Sequence, residues 1–389
     1  MQVETFSYRE ESGWSIPTLP NIDSERTLVV VFGARRYADE TAAVDFLAQA
    51  YPRSVMMGCS SAGEILGDCI YDESLVVAVA RFDRTDLRST TATIRRPEDS
   101  FEVGRQLGEE LSRDRLRGVF LLSDGLNVNG TELTRGLNSS IPSDIVITGG
   151  LAGDGDRFEK TWVLADRKPR EGVVSAVGFY SDHFVMDHGS KGGWDIFGHV
   201  RTVTKSKGNV LYELDGKPAL DLYKEYLGER ASGLPATGLL FPLEIWTDED
   251  AGKRLVRTIL AVDEESQSLT FAGDVPQGWK AQLMKANFDR LIGGAMNAAE
   301  MIRCQELEGS PLAIAISCVG RRLVLAERSE EEVEATLEVF PKGTKQIGFY
   351  SYGEISPHGV GSCDLHNQTM TLTAFYEPTL HEVPSSPSA

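Results

Sequence analysis

The chain has 389 residues, of which 41% are apolar and 25% charged, and its net charge is −19. At roughly 100–200 residues per domain this is the length of about two domains, with an apolar fraction ordinary for a globular core. The acidic balance is spread along the chain and the basic runs, Arg95-Arg96 and Arg321-Arg322, are short, which argues against nucleic acid and anionic membrane as partners.

The residues from Met1 to Phe6 carry neither a basic nor an apolar leader, so no signal peptide is expected. Apolar runs such as Leu75 to Ala80 fall far below the ~18 residues of a membrane-crossing helix. Cys59, Cys69, Cys304, Cys318 and Cys363 are odd in number, widely spaced and form no CxxC pair. Reduced thiols in a cytoplasmic protein fit that usage; a disulfide frame, a zinc ribbon or a covalent haem site does not.

Three segments share one design: an apolar run, a helix-compatible stretch, a second apolar run, then glycine beside an acid. The first starts at Leu28 to Gly33, passes a helical stretch from Thr41 to Ala50, and ends Val55 to Ser60, Ser61-Ala62-Gly63-Glu64. The second runs from Val119 to Gly125 and ends Ile145 to Gly150, Leu151-Ala152-Gly153-Asp154. The third runs from Ala313 to Gly320 and ends Gly348 to Ser351, Tyr352-Gly353-Glu354. Short apolar runs bounded by glycine read as buried strands, and a strand, helix and strand in about 30 residues is a βαβ unit with parallel neighbours.

Between the copies, Leu75 to Arg81, Leu87 to Ile94, Gly172 to Tyr180 and Val200 to Lys205 read as further strands, so the sheets should be mixed. Ser100 is placed as the N-cap of a helix through Leu111. Pro218 opens another, stopped by Gly228. Lys280 to Cys304 reads as one long helix, with Met284, Phe288, Leu291, Ala295, Ala298 and Ile302 on one stripe and small residues that let a neighbour approach. Turn signals at Ser206 to Gly208 and Asp215-Gly216 place a boundary between domains 1–215 and 216–378, with a loose Pro- and Ser-rich tail at 379–389. The expected fold class is α/β: two domains of mixed β-sheets flanked by helices, built from related βα units.

Several of these segments resemble the FIST proteins, bacterial sensory proteins with FIST N and FIST C domains. The resemblance runs from about Thr27 to Glu377. It rests on Gly58 to Ile65, Gly149 to Gly155, Val203-Thr204-Lys205, Tyr212 to Ala219, Ser317 to Arg322, Gly348 to Ile355 and Leu365 to Thr371. It implies a ligand-sensing role, with amino-acid-like small molecules as ligands and a histidine kinase or other signalling protein as partner in trans. One branch of the family contains haem and senses nitric oxide, regulating a histidine kinase or cyclic-di-GMP signalling. Whether the chain forms homo-oligomers is left open.

The three glycine-acid turns follow strand C-termini, where α/β sheets bind ligands. Glycine admits close backbone approach and a carboxylate can pair with an ammonium. The expected ligand-binding residues are Cys59, Ser60, Ser61, Gly63, Glu64, Gly153, Asp154, Arg321, Tyr352, Gly353, Glu354, His366 and Asn367. The alternative for each acid is to cap its own turn, and for Arg321 to form a structural ion pair. A haem would need one axial ligand from His183, His188, His366 or Cys318. No catalytic centre is expected: Gly58 to Ala62 only partly matches a nucleophile elbow, and Cys318 with His366 is the remaining nucleophile–base pairing.

Overall fold

The computed structural model describes residues 1–249, 254–303, 311–358 and 361–378. Cys304, Gly359 and the 379–389 tail lie outside the described residues. The chain is an α/β protein of two domains whose sheets are flanked by helices.

The three repeated segments form three parallel strand pairs. Thr27–Gly33 lies beside Val55–Ser60, Leu116–Ser123 beside Val146–Leu151, and Leu312–Cys318 beside Lys345–Ser351. Each pair is joined by crossover helices: α1 (Ala42–Ala50) in the first; α3 (Gly130–Asn138) in the second; α6 (Val319–Leu325) and α7 (Ser329–Val339) in the third. Two antiparallel strands extend each pair on the other side: Leu75–Arg81 and Gln2–Arg9, Val173–Tyr180 and Asp86–Thr93, Met370–Tyr376 and Val185–Lys191. Helix α2 (Ser100–Leu111) packs on α3, and α5 (Phe288–Glu300) on α7.

Each unit then lends a strand to the next. Glu64–Leu66 of the first unit pairs with Lys345–Ser351 of the third. Gly353–Pro357 of the third pairs with Val146–Leu151 of the second. Val163–Ala165 of the second pairs with Val55–Ser60 of the first, which closes the cycle. One ring of backbone bonds repeats the same exchange: Ala62 N–H donates to Tyr350 C=O (2.8 Å), Gly153 to Ser60 (3.0 Å) and Tyr352 to Leu151 (3.2 Å). Between the sheets lies one apolar cluster to which all units contribute, including Leu28, Phe32, Phe120, Leu122, Ile314, Ile316 and Phe349. Phe32 and Phe349 meet at 4.6 Å between ring centres. Each such ring contributes about 1.5–3 kcal/mol by leaving water, so the exchange is sealed by burial as well as by backbone pairing.

Residues between Asp195 and Lys285 form a further, antiparallel sheet of nine strands around α4 (Ala219–Leu227), with a core of its own. This sheet is inserted into the third unit between its Val185–Lys191 strand and α5. It is tied to the three-unit body by Arg257, buried, whose guanidinium donates to Leu365 C=O (3.1 Å), and by Asn129 Nδ2 donating to Asp274 (3.1 Å). The turns at Gly208 and Asp215-Gly216 are hairpin connections inside this sheet.

Two element expectations are corrected. The helix expected from Lys280 begins at Phe288, because Lys280–Lys285 is a strand in which Ala281 and Leu283 alternate into the inserted core, and the Asn287 side chain caps α5 by accepting from Arg290 N–H. Met284 matched the helical stripe only by spacing. Ser100 is the first residue of α2 and not its cap; its hydroxyl donates to Pro97 C=O and accepts from Asn129 N–H. The small residues of α5 do admit a close neighbour: a Cβ on Gly294 would meet the backbone of Gly192 and Gly193.

Candidate functional site

The C-terminal ends of the parallel strands open into two cavities that share the walls Asp156, Val319 and Leu323. The larger, about 590 Å³, lies between the body and the inserted sheet. The body contributes Cys318, Val319, Gly320, Leu323, Tyr352 and Phe158. The inserted sheet contributes Leu234, Pro235, Ala236, Leu239 and the run Thr258 to Leu260. This half is mainly apolar, with Asp156 at its edge. The smaller, about 460 Å³, is bordered by Ser61, Gly63, Glu64, Asp72, Glu73, Arg157 and Arg322 and is polar.

The Gly155–Lys160 loop forms the ridge between the halves, and Asp154 holds it. The buried Asp154 carboxylate accepts the Tyr352 hydroxyl and the N–H groups of Phe158 (2.9 Å), Glu159 (3.0 Å) and Lys160 (2.9 Å). Burial by itself would raise the pKa of Asp154, but the bonds from Tyr352, Lys160, Glu159 and Phe158 outweigh it and hold the group below its ordinary value. The loop so fixed lays the Phe158 ring flat on Tyr352, 4.4 Å between centres. Asp156 and Arg157, both exposed, are left without ion partners among the described residues.

Glu64 and Glu354 occupy equivalent places and behave alike. Glu64 accepts from Ser61 and from both the N–H (3.0 Å) and hydroxyl (2.8 Å) of Ser74, which precedes the Leu75–Arg81 strand. Glu354 accepts from Ser351 (2.7 Å) and from the N–H (3.2 Å) and hydroxyl (2.9 Å) of Thr369, which precedes the Met370–Tyr376 strand. Each pins the returning strand to its turn. Burial pushes them up to about 7 and about 8. In the second unit the buried Asp124 takes over this place, accepting from Gly172 N–H (3.1 Å) and Thr161 (3.1 Å).

Of the residues expected at the site, Ser61, Gly63 and Glu64 border the polar half and Tyr352 the apolar half, together with Cys318. The others lie beneath. Cys59 is buried in the shared apolar cluster, and the Ser60 hydroxyl accepts from Trp162 N–H. Gly153 and Gly353 are in the strand-exchange ring and its pairing, and Asp154 and Glu354 face inward as described. Arg321 is wholly buried, and its five N–H donors serve Glu332, Gly192 C=O, Gln368 C=O and Leu291 C=O. The ion pair it forms is with Glu332, which also accepts from Ser317 and Tyr350. His366 is buried against Ser356 C=O (2.9 Å) and stacked on His358, and Asn367 is buried beside it. Arg322, which was not among the residues expected at the site, reaches the cleft, bound to Asp72 and to Ala62 C=O. Sequence reasoning missed Asp156, Arg157 and Phe158; their signal was an aromatic residue inside a polar glycine turn.

The residues present do not fit an axial haem site. Of the four candidates only Cys318 borders the large apolar cavity, and burial, reinforced by the Glu354 carboxyl, pushes its thiol well above its ordinary range, against the thiolate that ligation requires. His188 borders a separate cavity of about 330 Å³, His183 precedes that strand, and burial lowers His366 to about 4 with its Nε2 on a carbonyl.

Comparison with known proteins agrees with the resemblance. The FIST N domain model matches residues 27–217 and the FIST C domain model residues 219–357. The chain is 26% identical over 362 residues to an uncharacterized protein, MJ1623, of Methanocaldococcus jannaschii, an alignment covering 80% of this chain and 66% of that relative. FIST domains are associated with sensory signal transduction. No helix among the described residues is long and apolar enough to cross a membrane. With both domain models matched in order over most of its length, the chain belongs to the FIST family.

Proposed function

We propose that the chain is a sensory protein that binds a small, amino-acid-like molecule in the two-part cleft and signals through a separate protein such as a histidine kinase. The observation that carries this reading is the position of the cleft. It lies where strand ends of the body converge, and the inserted sheet supplies its opposite wall. A ligand filling it touches both domains, so binding favours one relative placement of the two over others. The volume is within the range of small-molecule sites. The reading is non-catalytic, because the thiol on the wall is held protonated and no histidine is among the described residues that border the cleft.

The test is a thermal-melting screen of the full chain against amino acids, amines and carboxylic acids, repeated with Phe158→Ala. A ligand at about 100 times its Kd adds roughly 2.7 kcal/mol of stability. A hit lost in Phe158→Ala supports the cleft; hits that are indifferent to it place binding elsewhere and end this reading.

A further inference from the structure

The larger half of the cleft has features that select among small molecules. Three large apolar side chains that are exposed on the surface, Phe158 (46%), Leu260 (43%) and Leu323 (44%), all border this one cavity. They come from three different elements: the Asp154-held loop, the inserted sheet and α6. Exposed apolar groups converging on one mouth mark a place where an apolar partner is taken up. The stacked Phe158 and Tyr352 rings give that mouth a flat aromatic wall, with the Tyr352 hydroxyl already spent on Asp154.

The charge at the boundary decides the head group. Asp156 borders both halves, is exposed, and has no ion partner among the described residues. On the polar side, Asp72 is neutralised by Arg322, and Glu73 faces Arg36 at 3.6 Å. Arg157 borders only the polar half. A molecule whose body lies in the apolar half therefore meets a carboxylate first, beside aromatic faces that also favour cations. The chain's net charge of −19 adds to that preference at longer range.

We infer that the ligand is a hydrophobic organic ammonium: an aryl-bearing body against Phe158, Tyr352 and Leu260, with its ammonium at Asp156. A carboxylate on the same molecule, reaching Arg157, is tolerated and not required. This rests on the cleft reading above and narrows it.

The experiment titrates the full chain by calorimetry with three near-isosteric probes: phenethylamine, phenylalanine and hydrocinnamate. Phenethylamine is expected to bind once per chain and at least about tenfold tighter than hydrocinnamate, the ordinary effect of one paired against one opposed charge near a surface. Asp156→Asn should erase that preference, and Phe158→Ala should weaken phenethylamine about tenfold, on the scale of a lost aromatic contact. Phe46→Ala, an exposed aromatic of α1 that borders neither half of the cleft, should change neither. Hydrocinnamate binding as tightly as the amine, still dependent on Phe158, overturns the ammonium assignment and leaves the cleft as the site. Binding of all three that ignores Phe158, or no saturable binding by any of them, overturns both.

Discussion

The backbone N–H of Ala62 in the first unit donates to the carbonyl of Tyr350 in the third, and the same bond recurs twice more around the body. The close strand packing beneath this ring depends on three glycines, one on the second parallel strand of each unit. A Cβ on Gly58 would collide with Val31 C=O, one on Gly149 with Leu121 C=O, and one on Gly348 with Ala315 C=O. Each substitution by alanine should destabilise the protein by about 1–3 kcal/mol, the usual range for overpacking. Gly293 in α5 has nothing within 4 Å of where a Cβ would stand, and Gly293→Ala should stabilise by about 0.5–1 kcal/mol through helix propensity. Urea unfolding of the four variants checks both signs at once.

Asp154→Ala removes the acceptor for three N–H groups and the Tyr352 hydroxyl. The expected loss is about 1–3 kcal/mol, the scale of leaving such donors unsatisfied. The more specific result is local: hydrogen exchange at Phe158, Glu159 and Lys160 should accelerate well beyond the change at Leu121 or Ile316. Uniform acceleration would mean that Asp154 supports the whole body and not the loop.

The buried pair Arg321–Glu332 should respond unequally to two substitutions. Glu332→Ala leaves a guanidinium with no counter-charge in the core and should cost about 3–5 kcal/mol. Glu332→Gln keeps an acceptor for the same donors and should cost less. Equal losses from the two, measured by urea unfolding, would show that packing and not charge holds this site.

Stability should fall as pH rises above neutrality. Glu64 and Glu354, at about 7 and about 8 in the folded chain against an ordinary 4.5, keep protons that the unfolded chain releases, so ionising them disfavours folding across that window. His366, lowered to about 4 from 6.5, acts in the opposite sense between those two values, because the unfolded chain takes up its proton first. The effects oppose each other below pH 6.5, and above it the carboxyls act without that opposition. The melting temperature should therefore drop by a few degrees between pH 6.5 and 8.5, and Glu354→Gln should remove a large part of the slope. A wild-type curve that is flat or rising over this range would contradict the assignment.

The three βα units could be read from the sequence because each announces itself within about 30 residues, by apolar runs ending in glycine. The strand exchange could not. Glu64–Leu66 is only three residues long and its partner, Lys345–Ser351, lies far along the chain. The glycine-acid turns were legible as turns, but which way the acids face was not. Ser61 with Ser74, and Ser351 with Thr369, turn Glu64 and Glu354 inward, and Ser74 and Thr369 lie 10 and 15 residues along the chain from the acids they hold. The opposite wall of the cleft, from Leu234 to Leu239 and Thr258 to Leu260, carries no motif; its residues matter by where the inserted sheet places them.

The inserted sheet enters and leaves the body by one doorway. Asp195–Ile196, at its start, pairs with Met284 and Lys285, at its end. A segment laced shut at its neck behaves as a cassette: its interior can lengthen, shorten or be exchanged while the three-unit frame keeps its threading and its ring of backbone bonds. Since that cassette supplies half of the cleft wall, one frame can be refitted for different molecules by rewriting a single continuous stretch of chain.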